Sequence, residues 1–223
     1  MDKPELEIAQ VIRDLTEGTR EEQERALMLH FLPDAYFIHP FCRVQSLKSR
    51  HIKLPFVHQP LTINSRYFLW LVYQWYHILS PEIRLHVDST AFDKRNNLLY
   101  ATIRQTFTLW IVPFSLWEAH VKLVCLLELD RLPIDLDGQA VMDGQVAKDG
   151  RANLPKKYFI KGQQDHYQIN EFLKFIAPFG AASIWFAWQI FATFICAIGV
   201  YCLWPITTIY ETFVRRPSEQ KRR

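Results

Sequence analysis

From Ile176 to Tyr210 the chain runs for 35 residues without an Asp, Glu, Lys, Arg or His. About 20 apolar residues are enough to cross a hydrocarbon core, and IWFAWQIFATFICAIGVYCLW supplies them. A core helix of that length would break into amphipathic periods, so the run, 176–210, is expected to be a membrane segment. Pro178 and Gly180 at its start and Pro205 near its end trim the spanning core to about 181–204. Thirty-five residues of helix would measure about 52 Å against a core of about 30 Å. A single crossing and a re-entrant anchor with both ends on one side therefore both stay open. The single crossing is the simpler, because no central Pro or Gly pair marks a hairpin turn.

Charge separates the tail from the body. The net charge is +3, and the basic tail 211–223 accounts for all of it with five Lys or Arg against two Glu. The neutral remainder lacks the clustered basic surface that nucleic acid requires, so no nucleic-acid partner is expected. Beside anionic lipid each Lys or Arg of the tail contributes roughly 1 kcal/mol, and the expected partner is the bilayer. The opening MDKPELEIAQ places charges where a signal peptide needs its apolar region. The soluble part is thus expected to face the cytosol, on the endoplasmic reticulum or another endomembrane. Four cysteines, Cys42, Cys125, Cys196 and Cys202, show no C-x-x-C spacing. With no His-Glu-x-x-His, Gly-rich phosphate loop or nucleophile elbow either, neither a metal nor a cofactor is expected.

Before the apolar run, periodicity predicts helices first and strands afterwards. Ile8, Val11, Ile12 and Leu15 mark a first helix, and Thr19 with Glu22 a capping box for a second through His30. Asp34 to Pro40 is a compact aromatic stretch, and Cys42 to Leu61 reads as irregular and basic. Asn64 caps a third helix, SRYFLWLVYQWYHIL, with Phe68, Leu71, Val72, Trp75 and Leu79 as its buried face. Alternation then predicts long strands around Ile83–Val87, Leu99–Ile111 and Leu116–Asp130, and another from Lys156. Gly, Asp and Pro between them mark 132–155 as a flexible loop. The class is α+β, a curved antiparallel sheet packed against N-terminal helices, over a domain of residues 1–174.

Four segments carry a family resemblance: DAYFIHPF after two helices, the aromatic helix ending QWYHILSP, the strand pair around LYATIRQTFTLWIVPF, and GQQDHYQINEFLKF. Together they resemble the nuclear transport factor 2-like superfamily, the cone-shaped fold shared by scytalone dehydratase, ketosteroid isomerase and SnoaL-like cyclases. More narrowly the chain is similar to the fungal SigF-like members, in which this domain precedes a C-terminal transmembrane segment ending in a Trp-Pro pair, here Trp204-Pro205. The resemblance implies a hollow cone, and in some relatives dimers through the exposed sheet face. It does not carry over an activity, because enzymes of the superfamily share no single catalytic motif.

Candidate chemistry follows from the strand that contains Asp165, His166 and Tyr167. Alternation sends Asp165 and Tyr167 to one face and His166 to the other. In an apolar cone Asp165 could serve as a general base with Tyr167 stabilising developing charge, and His39 could relay a proton. A plainer alternative has Asp165 capping the helix that follows, from Gln168 onward, or pairing with an arginine at the cone rim. Tyr73, Tyr76, His77 and Trp110 are the expected ligand-pocket residues. Arg104, His120, Lys122 and Glu128 are expected to pair across a solvated sheet face. Three functions stay open: a membrane-anchored domain binding a small hydrophobic ligand or a protein partner, a cofactor-independent isomerase, dehydratase or cyclase with Asp165 as base, and a membrane scaffold that forms a homodimer through the exposed sheet face.

Overall fold

Ile8, Val11, Ile12 and Leu15 form the buried stripe of α1 (Pro4–Thr16) in a computed structural model that describes residues 1–52, 61–112, 116–135, 137–141, 154–178 and 180–210. Pro4 suits the first turn, where its missing N–H has no helical partner to lose. Thr19 and Glu22 close the expected capping box at the start of α2 (Arg20–His30): Thr19 Oγ1 accepts from the Glu22 N–H, and Glu22 accepts from the Thr19 N–H at 2.8 Å. Asn64 caps α3 (Ser65–Leu79), accepting from the Tyr67 N–H at 3.0 Å.

The aromatic stretch expected to be merely compact is a strand, β1 (Phe31–His39), followed by β2 (Cys42–Val44). The segment read as irregular contributes a small hairpin, β3 (Arg50–Ile52) with β4 (Leu61–Ile63). Four long strands complete the fold: β5 (Arg84–Asp93), β6 (Leu98–Thr108), β7 (Glu118–Pro133) and β8 (Lys156–Tyr167). A short helix, α4 (Ile169–Ile176), follows β8.

The main sheet runs β2-β1-β8-β7-β6-β5. It is mixed, where an antiparallel sheet was expected, because β1 lies parallel to β8. Alternation along one strand identifies its two faces but not its partner, so this pairing has no local signature. Gly162 makes it possible: the ring of Tyr36 crosses β8 where a Cβ on residue 162 would stand. The core lies between α1–α3 and the inner face of the sheet, around Ile8, Leu27, Leu69, Leu99, Leu127 and Phe159.

On the outer face Arg104 and His120 pair across strands as expected, with Asp88 and Thr106, whereas Lys122 and Glu128 do not. Arg104 binds Asp88 at 2.7 Å and His120 contacts Glu118 at 3.1 Å, both exposed. Lys122 stands opposite Arg104 in the β6–β7 ladder, and the Glu128 side chain bonds Tyr36. Within the expected loop, 137–141 form a turn around Gly138 bridged at Ile134 and Ala140, while residues 136 and 142–153 lie outside the described residues.

The chain divides into two units, Met1–Pro178 and Phe179–Arg223. The second contains α5 (Ala181–Tyr210), which begins where the sequence suggested but continues through Pro205. Ala181–Ile206 is long and apolar enough to cross a membrane, and its apolar window is wholly exposed. The basic tail 211–223 lies outside the described residues.

Candidate functional site

Cavities occupy the space between α3, the start of β2 and the concave face of the sheet. The outer one has a volume of about 910 Å³ and is walled by Phe41, Phe68, Leu71, Trp75, Phe107 and Phe175 among others. The inner one, about 50 Å³, is walled by Tyr73, Gln105, Cys125, Gln163, Asp165 and Tyr167. His39, Cys42, Val72 and Tyr76 line both. Both chambers have mainly apolar walls, and the inner one also carries a carboxyl, two amides and three phenols.

Helix α3 explains the outer chamber. Its buried stripe passes through Ser65 and Leu69. The face expected to be buried stands beside that stripe, and its Phe68, Leu71 and Trp75 remain 40–59% exposed. They are walls of a cavity instead of core. The helical period reads the face as apolar either way, since empty space and packed core require the same residue types.

Period 2 explains the inner chamber. Gln163, Asp165 and Tyr167 alternate along β8 toward the concave face, and His166 is exposed on the other. Asp165 does not cap α4, whose N-cap, Gln168, makes no side-chain cap bond. Instead its carboxylate accepts from Gln163 Nε2 at 3.1 Å, and the Gln163 carbonyl accepts from the Tyr73 hydroxyl at 3.0 Å. Burial pushes the Asp165 carboxyl up to about 6, against smaller opposing effects of the Gln163 amide and the Cys125 thiol. Asp165 is only half-buried by surface area, and the chamber it lines accounts for its exposed part. No Lys or Arg lines this chamber among the described residues.

A directed chain of donors runs through the same space. The Phe41 N–H donates to His39 Nδ1 at 3.3 Å, which leaves the ring proton on Nε2. Nε2 stands 3.3 Å from the Tyr167 hydroxyl and donates to it. Tyr167 in turn donates to Tyr76, which raises the pKa of Tyr167 in addition to the larger effect of burial. Burial likewise raises Tyr76, against smaller opposing effects of Gln105 and Tyr167. Gln105 stands beside it with a buried Nε2 that makes no hydrogen bond of acceptable geometry. Its amide nonetheless opposes the rise of the Tyr76 pKa, as a donor aimed at the phenol oxygen does.

Burial depresses His39 to about 4, so the ring is neutral near pH 7 and acts as a fixed donor. Phe37 stacks on it at 6.0 Å, and Tyr167 and Tyr76 meet it edge-on. Of the seven residues expected from sequence, five meet here: Asp165, Tyr167, His39, Tyr73 and Tyr76. Two do not. His77 lies nine residues after Phe68, half a turn out of phase with the cavity face, and lines neither chamber. Trp110 follows the end of β6, where alternation no longer applies, and its Nε1 donates outward to the Ile78 carbonyl at 2.7 Å. Gln105 and Gln163 were missed, although the alternating apolar series Ala101, Ile103, Phe107 leaves Gln105 as its one polar member. Among the described residues no group of three His, Cys, Asp or Glu could hold a metal ion.

A family model described as the SigF NTF2-like domain matches residues 1–51 and 47–135. The chain belongs to that family. His39, Tyr73, Tyr76 and Gln105 of this SigF domain lie within the matched residues, whereas Gln163, Asp165 and Tyr167 lie beyond them. No curated protein matches the sequence. Among solved structures, a hypothetical protein with a ketosteroid isomerase-like fold from Catenulispora acidiphila, in complex with trimethylamine, is 10% identical, with 76% of this chain and 89% of that one covered and a TM-score of 0.43. A protein proposed to be a SnoaL-like polyketide cyclase from Jannaschia is 12% identical, covering 81% and 96%, with a TM-score of 0.43. A nuclear transport factor 2-like protein of unknown function from Burkholderia pseudomallei is 11% identical, covering 75% and 95%, with a TM-score of 0.40. Likenesses of this order say nothing of activity.

Proposed function

We propose that this SigF domain is a binding module for a small hydrophobic molecule, held at a membrane by α5. The observation that carries the reading is the 910 Å³ chamber with its apolar wall. Ligand cavities span about 300–1,000 Å³ and combine apolar walls with a few converging polar groups. Here those groups are His39 and Tyr76, which line both chambers.

Asp165 favours a second reading, a cofactor-independent isomerase, dehydratase or cyclase in which it is the general base. A carboxyl raised to about 6 beside protonated phenols suits that chemistry. Size decides the order of the two. A water occupies about 30 Å³ of liquid, so the 50 Å³ inner chamber admits a water or one small functional group. A lipophilic skeleton fits the outer chamber, and Asp165 would have to act on it through a water.

The test is mass spectrometry of the lipid extract from the purified full-length protein and from its Asp165→Asn variant. Binding without turnover is expected to give the same apolar compound in both. Accumulation of a different compound in the variant would establish turnover, and the absence of any bound compound from either would remove both readings.

A further inference from the structure

The mouth of the cavity is bounded by an apolar rim, tied together by backbone. The Trp110 N–H donates to the Leu79 carbonyl and Trp110 Nε1 to that of Ile78, joining the end of β6 to the end of α3. The Leu109 N–H donates to the Trp117 carbonyl at 3.0 Å, and Trp117 Nε1 to that of Phe175 at 2.9 Å, joining the start of β7 and the end of α4. Leu79, Leu109, Trp117 and Phe175 all line the outer chamber. Around them Trp75, Ile78, Trp110, Ile111, Leu116 and Ile176 are each 47–63% exposed. Scattered apolar side chains on a surface need no explanation, whereas a contiguous group around a pocket marks an interaction site.

Chain connectivity says what the rim meets. Ile176 belongs to it, and only residues 177–180 separate Ile176 from the first residue of α5. Even fully extended, that connection spans under about 20 Å. Trp is also the residue type enriched at the headgroup level, where an apolar ring and a satisfied N–H suit the change in polarity. We propose that this rim lies in the headgroup–acyl boundary of a bilayer, so that the cavity takes its ligand from the lipid phase without passing it through water. The proposal rests on α5 being the membrane segment; it adds that the domain itself touches lipid, and where.

The experiment uses the full chain in phosphatidylcholine vesicles containing a phosphatidylcholine with a diazirine in its acyl chain. After irradiation, adducts are mapped by mass spectrometry. Labelling is expected at Ile78, Trp110, Ile111 and Leu116 as well as within Ala181–Ile206. Tyr100 and Val124, which are 39% and 38% exposed on the outer sheet face, are expected to stay at background. A Trp110→Ser/Ile111→Ser variant is expected to lose the rim adducts and keep those in α5. Adducts confined to α5, whether water or a second copy of the chain covers the rim, would overturn the proposal while the anchor stands. Rim adducts without α5 adducts would support lipid contact and remove the anchor. Labelling of neither region would overturn both.

Discussion

Two groups of the inner chamber respond to pH in opposite senses: Asp165, raised by burial, and His39, depressed by burial to about 4. Asp165 titrates at about 6 in the folded chain against 3.8 for an ordinary Asp, so between those values the native state holds the proton that the unfolded chain releases. Its contribution to stability is complete below pH 3.8 and is lost as pH rises through 6. The difference is worth roughly 3 kcal/mol. Asp165→Asn cannot ionise and keeps an oxygen for the Gln163 amide. The variant is expected to be more stable than the parent at pH 7.5 by up to about 3 kcal/mol, a difference that grows as pH rises from 4 to 6, while His39 and His30, both depressed to about 4 by burial, shift the two forms alike in the opposite sense. Denaturant midpoints of both proteins across that range check it; a difference that does not change with pH would mean that another group is responsible. That Asp165 and Tyr167 point inward was legible, since alternation alone separates them from His166. That Gln163 fixes Asp165 and is itself fixed by Tyr73 was not, because 90 residues separate Tyr73 from Gln163 in the chain and only the fold brings them together.

Within one element, α3 offers a contrast between cavity wall and core. Leu69 is fully buried and Trp75 faces the outer chamber. Leu69→Ala is expected to cost about 2–5 kcal/mol of stability. Trp75→Ala, which removes a larger side chain, is expected to cost under about 1 kcal/mol, since little of the ring is packed. For binding of a fluorescent fatty-acyl probe the effects reverse, with Trp75→Ala the more damaging. Equal losses of stability would show that Trp75 is core after all. The sequence of α3 could not reveal this distinction, because its apolar stripe is continuous across both faces. Strand β8 carries a separate constraint at Gly162. The Tyr36 ring over it is pinned by Gln164, whose Nε2 donates to the Tyr36 hydroxyl at 3.0 Å. Gly162→Ala must displace the ring and with it β1, the strand that carries His39. A cost of about 1–3 kcal/mol is expected from overpacking, accompanied by weaker probe binding. Destabilisation without any effect on binding would show that β1 can move without moving His39.

For the whole molecule, the strongest commitment is that α5 holds it in a bilayer. Alternatives to a lipid environment are expensive. At about 25 cal/mol per Å² of apolar surface, covering the exposed Phe, Ile, Leu and Trp side chains of Ala181–Ile206 is strongly favourable, and a bilayer would cover them all. The helix has 30 residues and would be about 45 Å long, beyond a hydrocarbon core of about 30 Å, so a single crossing must tilt or extend into the headgroups. The charge of 211–223 opposes that crossing when the domain is cytosolic, because short basic segments tend to remain on the cytosolic side. Two measurements on the full-length chain separate these points. Alkaline carbonate washing of membranes is expected to leave the protein in the pellet; its release to the supernatant would exclude an integral anchor of either geometry. Protease added to sealed vesicles with the domain outside is expected to spare an epitope on the basic tail if α5 crosses once. Removal of that epitope from vesicles that still retain α5 would instead require both ends on one side, and the apolar run would then have to turn within the bilayer, where any backbone group freed from the helix needs a new partner.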